Sequence, residues 1–163
     1  MTALLLAYVV MERLLELAIA RRNTRRLMAE GAQEHGADHY PVMIALHVSW
    51  LAAILGWVAL MPHDISVPFL VLYVLLQALR LWVMASLGPY WTTRIITLPG
   101  APLVRRGPYK FLRHPSYVVV VLELVALPLV FGAWQIAAIF SALNAIMLWV
   151  RIRAENQALA PRG

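Results

Sequence analysis

The sequence predicts an all-α, polytopic integral membrane protein with about five transmembrane helices, the last two forming a hairpin. Three observations carry this. Of the 163 residues, 62% are hydrophobic and only 13% charged, against about 45–50% apolar and about 25% charged in a soluble domain. Apolar stretches run over about 2–20, 42–61, 66–87 and 115–150, and a helix of about 20 residues crosses the hydrocarbon. Finally, 12 of the 14 Lys and Arg residues follow alternate stretches. A soluble chain of this composition would lack the polar surface to cover its core. It is equally unlike a disordered chain or a separate soluble catalytic domain.

The first stretch lacks the basic leader of a secretory signal and carries Glu12, Arg13 and Glu16, so it reads as a span. The stretches at 42–61 and 66–87 read as the second and third. The last is too long for one crossing and is interrupted at Phe131-Gly132-Ala133. It therefore splits into spans over about 116–131 and 133–150, joined by a tight turn. Arg21, Arg22, Arg25 and Arg26 follow the first span. Arg94, Arg105, Arg106, Lys110 and Arg113 follow the third, and Arg151, Arg153 and Arg162 the fifth. The positive-inside rule then puts the N-terminus outside and the C-terminus in the cytoplasm. An odd number of spans fits that alternation, and the whole chain reads as one membrane domain.

The chain has no cysteine, which excludes disulfides, thiolate metal sites and cysteine nucleophiles. The net charge of +6 points first to topology. The basic residues lie in three juxtamembrane segments without a groove-binding motif, so no nucleic acid is expected. The glycine-rich nucleotide loops and the G-x-S-x-G elbow are missing. His35, His39 and His47 lack the H-E-x-x-H pattern and a cysteine co-ligand, and no metal site is expected.

Two segments on the cytoplasmic side, about 21–41 and 88–114, are long enough to hold a site. The second is rich in turn formers (Gly88-Pro89, Pro99-Gly100, Gly107-Pro108). Its aromatic content (Tyr90, Trp91, Tyr109, Phe111) suggests that it packs at the membrane surface or folds back on the bundle.

Glu12, Arg13, Glu16, Arg80 and Glu123 fall within spans, where a charge costs at least about 2.5–3.5 kcal/mol. Two readings stay open: an ion-pair network that knits the spans together, or a polar pocket for a ligand head group. Glu123 lies nine residues after His114, about 13–14 Å along a helix. It is a candidate to sit beneath a site at the cytoplasmic mouth, and with Arg94 it is a candidate catalytic residue.

The most informative stretch is Gly107-Pro108-Tyr109-Lys110-Phe111-Leu112-Arg113-His114-Pro115-Ser116-Tyr117. Pro115 suits the first turn of the next helix, where its missing N–H does no harm. Arg113 and His114 then stand at the positive end of that helix and form, with unpaired backbone N–H groups, an anion-binding corner. Tyr109 and Tyr117 bring rings and hydroxyls to it. A basic interfacial anchor with belt aromatics would look much the same.

This stretch resembles the G-x-Y-x-x-x-R-H-P-x-Y motif of the isoprenylcysteine carboxyl methyltransferase family of membrane methyltransferases. The run Arg151-Ile-Arg-Ala-Glu155-Asn156, just after the fifth span, resembles the family's second motif, R-x-x-x-E-E. The resemblance covers about residues 75–160. Arg22-Asn23, Glu34, Gly36, His39-Tyr40, His47 and Tyr90-Trp91-Thr92-Thr93 are similar to the short bacterial branch, associated with lipid-like products such as alkylpyrones. The chain departs from the family at Asn156, where a second acid is usual, and at Val119, often glycine.

The resemblance implies S-adenosylmethionine-dependent methyl transfer to oxygen at the cytoplasmic face of a bacterial plasma membrane. Arg113 and His114 would lie near the methionine carboxylate of the cofactor, with Pro115 shaping the corner. Glu155 would take ribose hydroxyls or the amino group, beside Arg151 and Asn156, and Tyr109 and Tyr117 would line the pocket. The acceptor would be a lipophilic carboxylate or acidic enol, either a small lipidic molecule or a prenylated substrate, reached through membrane lipid. Arg94 would steer its anionic group. Two other readings remain: a non-catalytic scaffold or transporter subunit using the Glu/Arg cluster, and a nicotinamide-dependent membrane reductase. Cofactor binding separates them.

Overall fold

The computed structural model describes residues 2–160, and in it five α-helices carry the architecture. They are α1 (Thr2–Ala29), α2 (Tyr40–Leu60), α3 (Val67–Leu87), α4 (Pro115–Val130) and α5 (Trp134–Leu159). Prolines sit in the first turns of α2, α3 and α4, where a missing N–H costs no helical bond. α2, α3 and α5 are long and apolar enough to cross a membrane. α4 is apolar but has only 16 residues. α1 interrupts its apolar face with Glu12, Arg13 and Glu16.

Two helices run past their expected ends. α1 continues through the arginine-rich 21–29, because Arg, Leu, Met and Ala are good helix formers and no breaker comes before Gly31. α5 continues to Leu159 for the same reason. That extension lifts Arg151 and Glu155, four apart, onto one face of a rigid element.

The expected hairpin turn falls at Gly132. Its φ of 69° is the left-handed value that closes a helix, and Ala133 N–H bonds back to Pro128 C=O at 3.0 Å, as in a Schellman closure. The neighbouring helices satisfy two carbonyls at this end of α4, a necessity where water is scarce. Ser66 N–H donates to Val130 C=O at 2.9 Å, and Trp57 Nε1 donates to Phe131 C=O at 3.1 Å. The apolar core lies towards this end: Trp50 and Ile54 of α2, Tyr73 and Leu76 of α3, Leu124 and Leu127 of α4, and Phe131. Large apolar side chains such as Leu14, Val74, Leu75 and Ile146 point outward.

A two-stranded antiparallel ribbon was not expected from the sequence. Strand β1 (Gln33–His35) pairs with β2 (Ile95–Thr97), with Glu34 opposite Ile96. The two segments read as separate cytoplasmic loops are therefore one structure. It gathers the ends of α1, α3 and α5 and the starts of α2 and α4. Asn23 of α1 donates to Trp91 C=O at 2.8 Å, Tyr40 of α2 meets Thr93 Oγ1 at 2.9 Å, and Arg151 of α5 donates to Thr93 C=O at 3.0 Å.

Candidate functional site

The 107–117 segment begins with a close approach. Gly107 has a φ of +56°, and a Cβ there would lie 2.1 Å from Ser86 Oγ of α3. Only glycine fits both the conformation and the space. Arg106 then bonds Ser86 C=O at 2.8 Å, and the short 3-10 turn Gly107–Lys110 carries the chain to α4. His114 is the residue before the first turn of that helix.

His114 stands between two acceptors on α5. Its Nδ1 lies 3.4 Å from Glu155 Oε2, and its Nε2 lies 3.2 Å from Asn156 Oδ1. The Glu155 carboxylate holds the imidazole above its ordinary pKa, against the opposing effect of burial. Tyr117 stacks on the ring, centroids 5.4 Å apart, and its hydroxyl donates to the same Glu155 oxygen at 2.6 Å. Glu155 Oε1 makes no hydrogen bond among the described residues. Tyr109 shares a 3.0 Å hydroxyl contact with Ser116. Burial pushes its phenol up to about 12, so it works as a neutral donor and acceptor.

These groups line a cavity of about 580 Å³, within the range of about 300–1,000 Å³ usual for small-molecule sites. Arg94, Tyr109, Arg113, His114, Tyr117, Arg151 and Glu155 all reach it. Arg113 is exposed, whereas Arg151 is only 6% exposed and fixed to Thr93 C=O. Apolar walls come from Leu27, Leu87, Ile95, Leu103 and Leu159. Pro115 is fully buried and does not line the cavity, and Asn156 touches it only through His114. Val119, at the family's glycine position, is buried elsewhere on α4.

Two expectations are corrected. Glu123, expected beneath a site at the cytoplasmic mouth and as a catalytic residue, does not line this cavity. It is 3% exposed and engaged by Arg80 (Nε to Oε1, 2.7 Å), Gln77 (3.0 Å) and Arg13 (3.2 Å). Arg13 and Arg80 also bond Glu16, at 2.7 and 3.3 Å. The geometry is that of an ion-pair network joining α1, α3 and α4, and it does not bring Glu123 to Arg94 or the motif residues. The helix end also offers fewer free N–H groups than expected. Pro115 has none, and Tyr117 and Val118 already donate to His114 C=O.

Sequence reasoning missed the lining residues Thr92, Thr97, Leu103 and Arg105. Thr92 stood in the family-like Tyr90-Trp91-Thr92-Thr93 run and Arg105 in a basic segment, while Thr97 and Leu103 had only the apolar, turn-rich character of 88–114 as a signal. It also missed how the N-terminal segments serve the site. Arg94 donates to Glu34 at 2.6 Å and lies over the Tyr40 ring at 4.2 Å, and the His39 ring occupies the space beside Gly36. The histidines do not converge: His35 meets Thr97 Oγ1 at 2.8 Å and His47 its own helix at Met43 C=O.

The profile of the isoprenylcysteine carboxyl methyltransferase (ICMT) family matches residues 69–161, more than half of the chain. Two bacterial proteins align over nearly the full length. An uncharacterized protein of Bacillus subtilis, YpbQ, is 40% identical over 159 residues, covering 96% of this chain and 95% of that one. An uncharacterized protein of Haemophilus influenzae is 28% identical over 152 residues, covering 91% and 88%. No solved structure matches the chain.

Proposed function

Because the chain belongs to the isoprenylcysteine carboxyl methyltransferase family, we propose that it is an S-adenosylmethionine-dependent O-methyltransferase of a lipophilic acceptor, working at the cytoplasmic interface of the membrane. The observation that carries this is the meeting of the two motif halves. His114 and Tyr117 at the start of α4 contact Glu155 at the end of α5, on the wall of one cavity.

The donor set fits the cofactor. An amino-acid zwitterion carries opposite charges on neighbouring groups, and the corner sets a cationic pair, Arg113 and His114, beside a carboxylate. Arg113 binds the cofactor's carboxylate. The His114 imidazolium adds positive charge beside it while its two N–H groups stay on Glu155 and Asn156, and Glu155 Oε1 is left for the cofactor's ammonium or ribose hydroxyls. Tyr109, Tyr117 and the apolar wall enclose the remainder and exclude water. Arg151 holds the 92–94 segment against α5. When bound, the cofactor supplies an electrophilic methyl group: an acceptor oxygen forms the O–C bond as the C–S bond breaks, its electron pair returning to sulfur to leave S-adenosylhomocysteine. Such an in-line displacement asks chiefly for alignment. An ionised carboxylate or enol brings its own lone pair, so no residue need act as a general base, and Arg94 orients that anion. The membrane-embedded architecture suits a lipid-tailed acceptor, alkylpyrone-like or prenylcysteine-like.

The test is calorimetric titration of S-adenosylmethionine and S-adenosylhomocysteine into the detergent-purified protein, with His114→Ala and Glu155→Ala alongside. Saturable binding by wild type, weakened at least about tenfold in folded variants, is the expected result. Each lost charged hydrogen bond is worth about 1.5–3 kcal/mol. No binding by folded wild type would transfer the case to a scaffold or, if a nicotinamide cofactor binds instead, to a membrane reductase.

A further inference from the structure

The charged side chains around the cavity are unbalanced. Arg94, Arg105, Arg113 and Arg151, with His114, face a single carboxylate, Glu155. S-adenosylmethionine has a net charge of +1, its zwitterionic end being neutral overall and its sulfonium positive. It therefore adds to this excess instead of relieving it. The lining thus favours a further anion, and the residue placed to receive it is Arg94, whose present counter-charge, Glu34, lies outside this cavity.

The guanidinium of Arg94 is held on its face by the Tyr40 ring, 4.2 Å away, and Tyr40 is itself tied to Thr93 at 2.9 Å. The plane of the group is thus set by contacts independent of its anionic partner. That partner is Glu34, bonded to Nη1 at 2.6 Å, the only hydrogen bond the guanidinium makes among the described residues. Glu34 belongs to β1 and lines a neighbouring cavity of about 750 Å³ across the ribbon, whereas Arg94 lines the first. The two side chains are 38% and 21% exposed. Ion pairs this accessible are weak, typically below about 1 kcal/mol, so an incoming anion displaces one at little cost.

We propose that Glu34 is a resident placeholder for the acceptor's anionic group: an internal carboxylate that occupies Arg94 until the acceptor's own carboxylate or enolate displaces it. The displacing anion is the methyl acceptor if the chain is the methyltransferase inferred above; the exchange itself is a binding property. Specificity follows from the same contact. A neutral or cationic amphiphile cannot displace Glu34. A methylated product, having lost its charge, returns Arg94 to Glu34 and leaves.

The experiment measures octanoate binding to the detergent-purified full chain by calorimetry, with octanol and octylammonium as charge controls, with and without S-adenosylhomocysteine. Glu34→Gln, which removes the competitor, should bind octanoate about two- to fivefold more tightly, and Glu34→Asp should fall between it and wild type. Arg94→Gln should weaken binding about tenfold or more. The double variant should match Arg94→Gln, since Glu34 competes only through Arg94. Octanoate binding that is unchanged or weaker in Glu34→Gln, or unchanged in Arg94→Gln, overturns the exchange. S-adenosylhomocysteine affinity is read on the same samples: retention in Glu34→Gln shows that the ribbon is intact. Its absence in wild type sinks the methyltransferase reading while the octanoate comparison still decides the exchange.

Discussion

His114 shows how much one side chain depends on what tertiary packing brings to it. In sequence it is a histidine before a proline, suited to the end of a helix. In the structure both ring nitrogens face acceptors from α5, and the Glu155 carboxylate raises its pKa. A raised value means that the fold stabilises the imidazolium. That contribution is complete below the ordinary imidazole value of about 6.5 and is lost as pH rises through the higher folded-state value. Affinity for S-adenosylhomocysteine, whose carboxylate keeps its charge throughout, should therefore decline through that same alkaline window. In His114→Gln the step should vanish. Titrations repeated from mildly acidic to mildly alkaline pH check this, and a step that persists in the variant would assign it to another group. The His114 environment was only half legible in the sequence. The R-H-P-x-Y and R-x-x-x-E patterns marked His114 and Glu155, the carboxylate that tunes the ring, but not the second contact, which spans 42 positions to Asn156, a departure from the family pattern.

At the scale of elements, legibility followed the periodicity and breakers that each segment carries. The α4–α5 hairpin could be read because Gly132 interrupts an otherwise continuous apolar run. The ribbon could not. Gln33-Glu34-His35 has no strand signature, and its partner lies 62 residues on. Only Ile95-Ile96-Thr97, β-branched and followed by Pro99-Gly100, held a hint. The buried charges on α1, α3 and α4 were visible as expensive residues, but their roles were settled by distance. Glu123 accepts from Arg80, Arg13 and Gln77 inside the bundle, so Glu123→Gln weakens these contacts while Glu16 and Glu12 remain as counter-charges for the two guanidiniums. The loss expected is about 1.5–3 kcal/mol, that of a charged hydrogen bond, seen as a lower Tm in detergent. Ligand affinity, measured well below that Tm, should match wild type. A variant that keeps its Tm but loses binding would return Glu123 to the site.

For the whole molecule, the alternating direction of the helices sorts the charges. The ends of α1, α3 and α5 lie with the ribbon and the cavity, and this end carries the clusters at Arg21–Arg26, Arg94–Arg113 and Arg151–Arg153. The opposite end, with the 61–66 loop and the Gly132 turn, has none. A chain inserted with the cavity end outward would have to carry these arginines across the membrane, against the strong retention of basic loops in the cytoplasm. The proposed orientation therefore has the cavity facing the cytoplasm, where a soluble nucleoside cofactor is made. The absence of native cysteines makes a direct test simple, because any introduced thiol is unique. Asp64→Cys, in the loop that lacks Lys and Arg, should react with a membrane-impermeant maleimide applied to intact cells. Arg105→Cys, on the cavity rim, should react only after the membrane is opened. The reverse pattern would place the cavity outside, away from any cytoplasmic supply of cofactor, and would remove the basis for a cytoplasmic methyl transfer even if the purified protein bound the cofactor well.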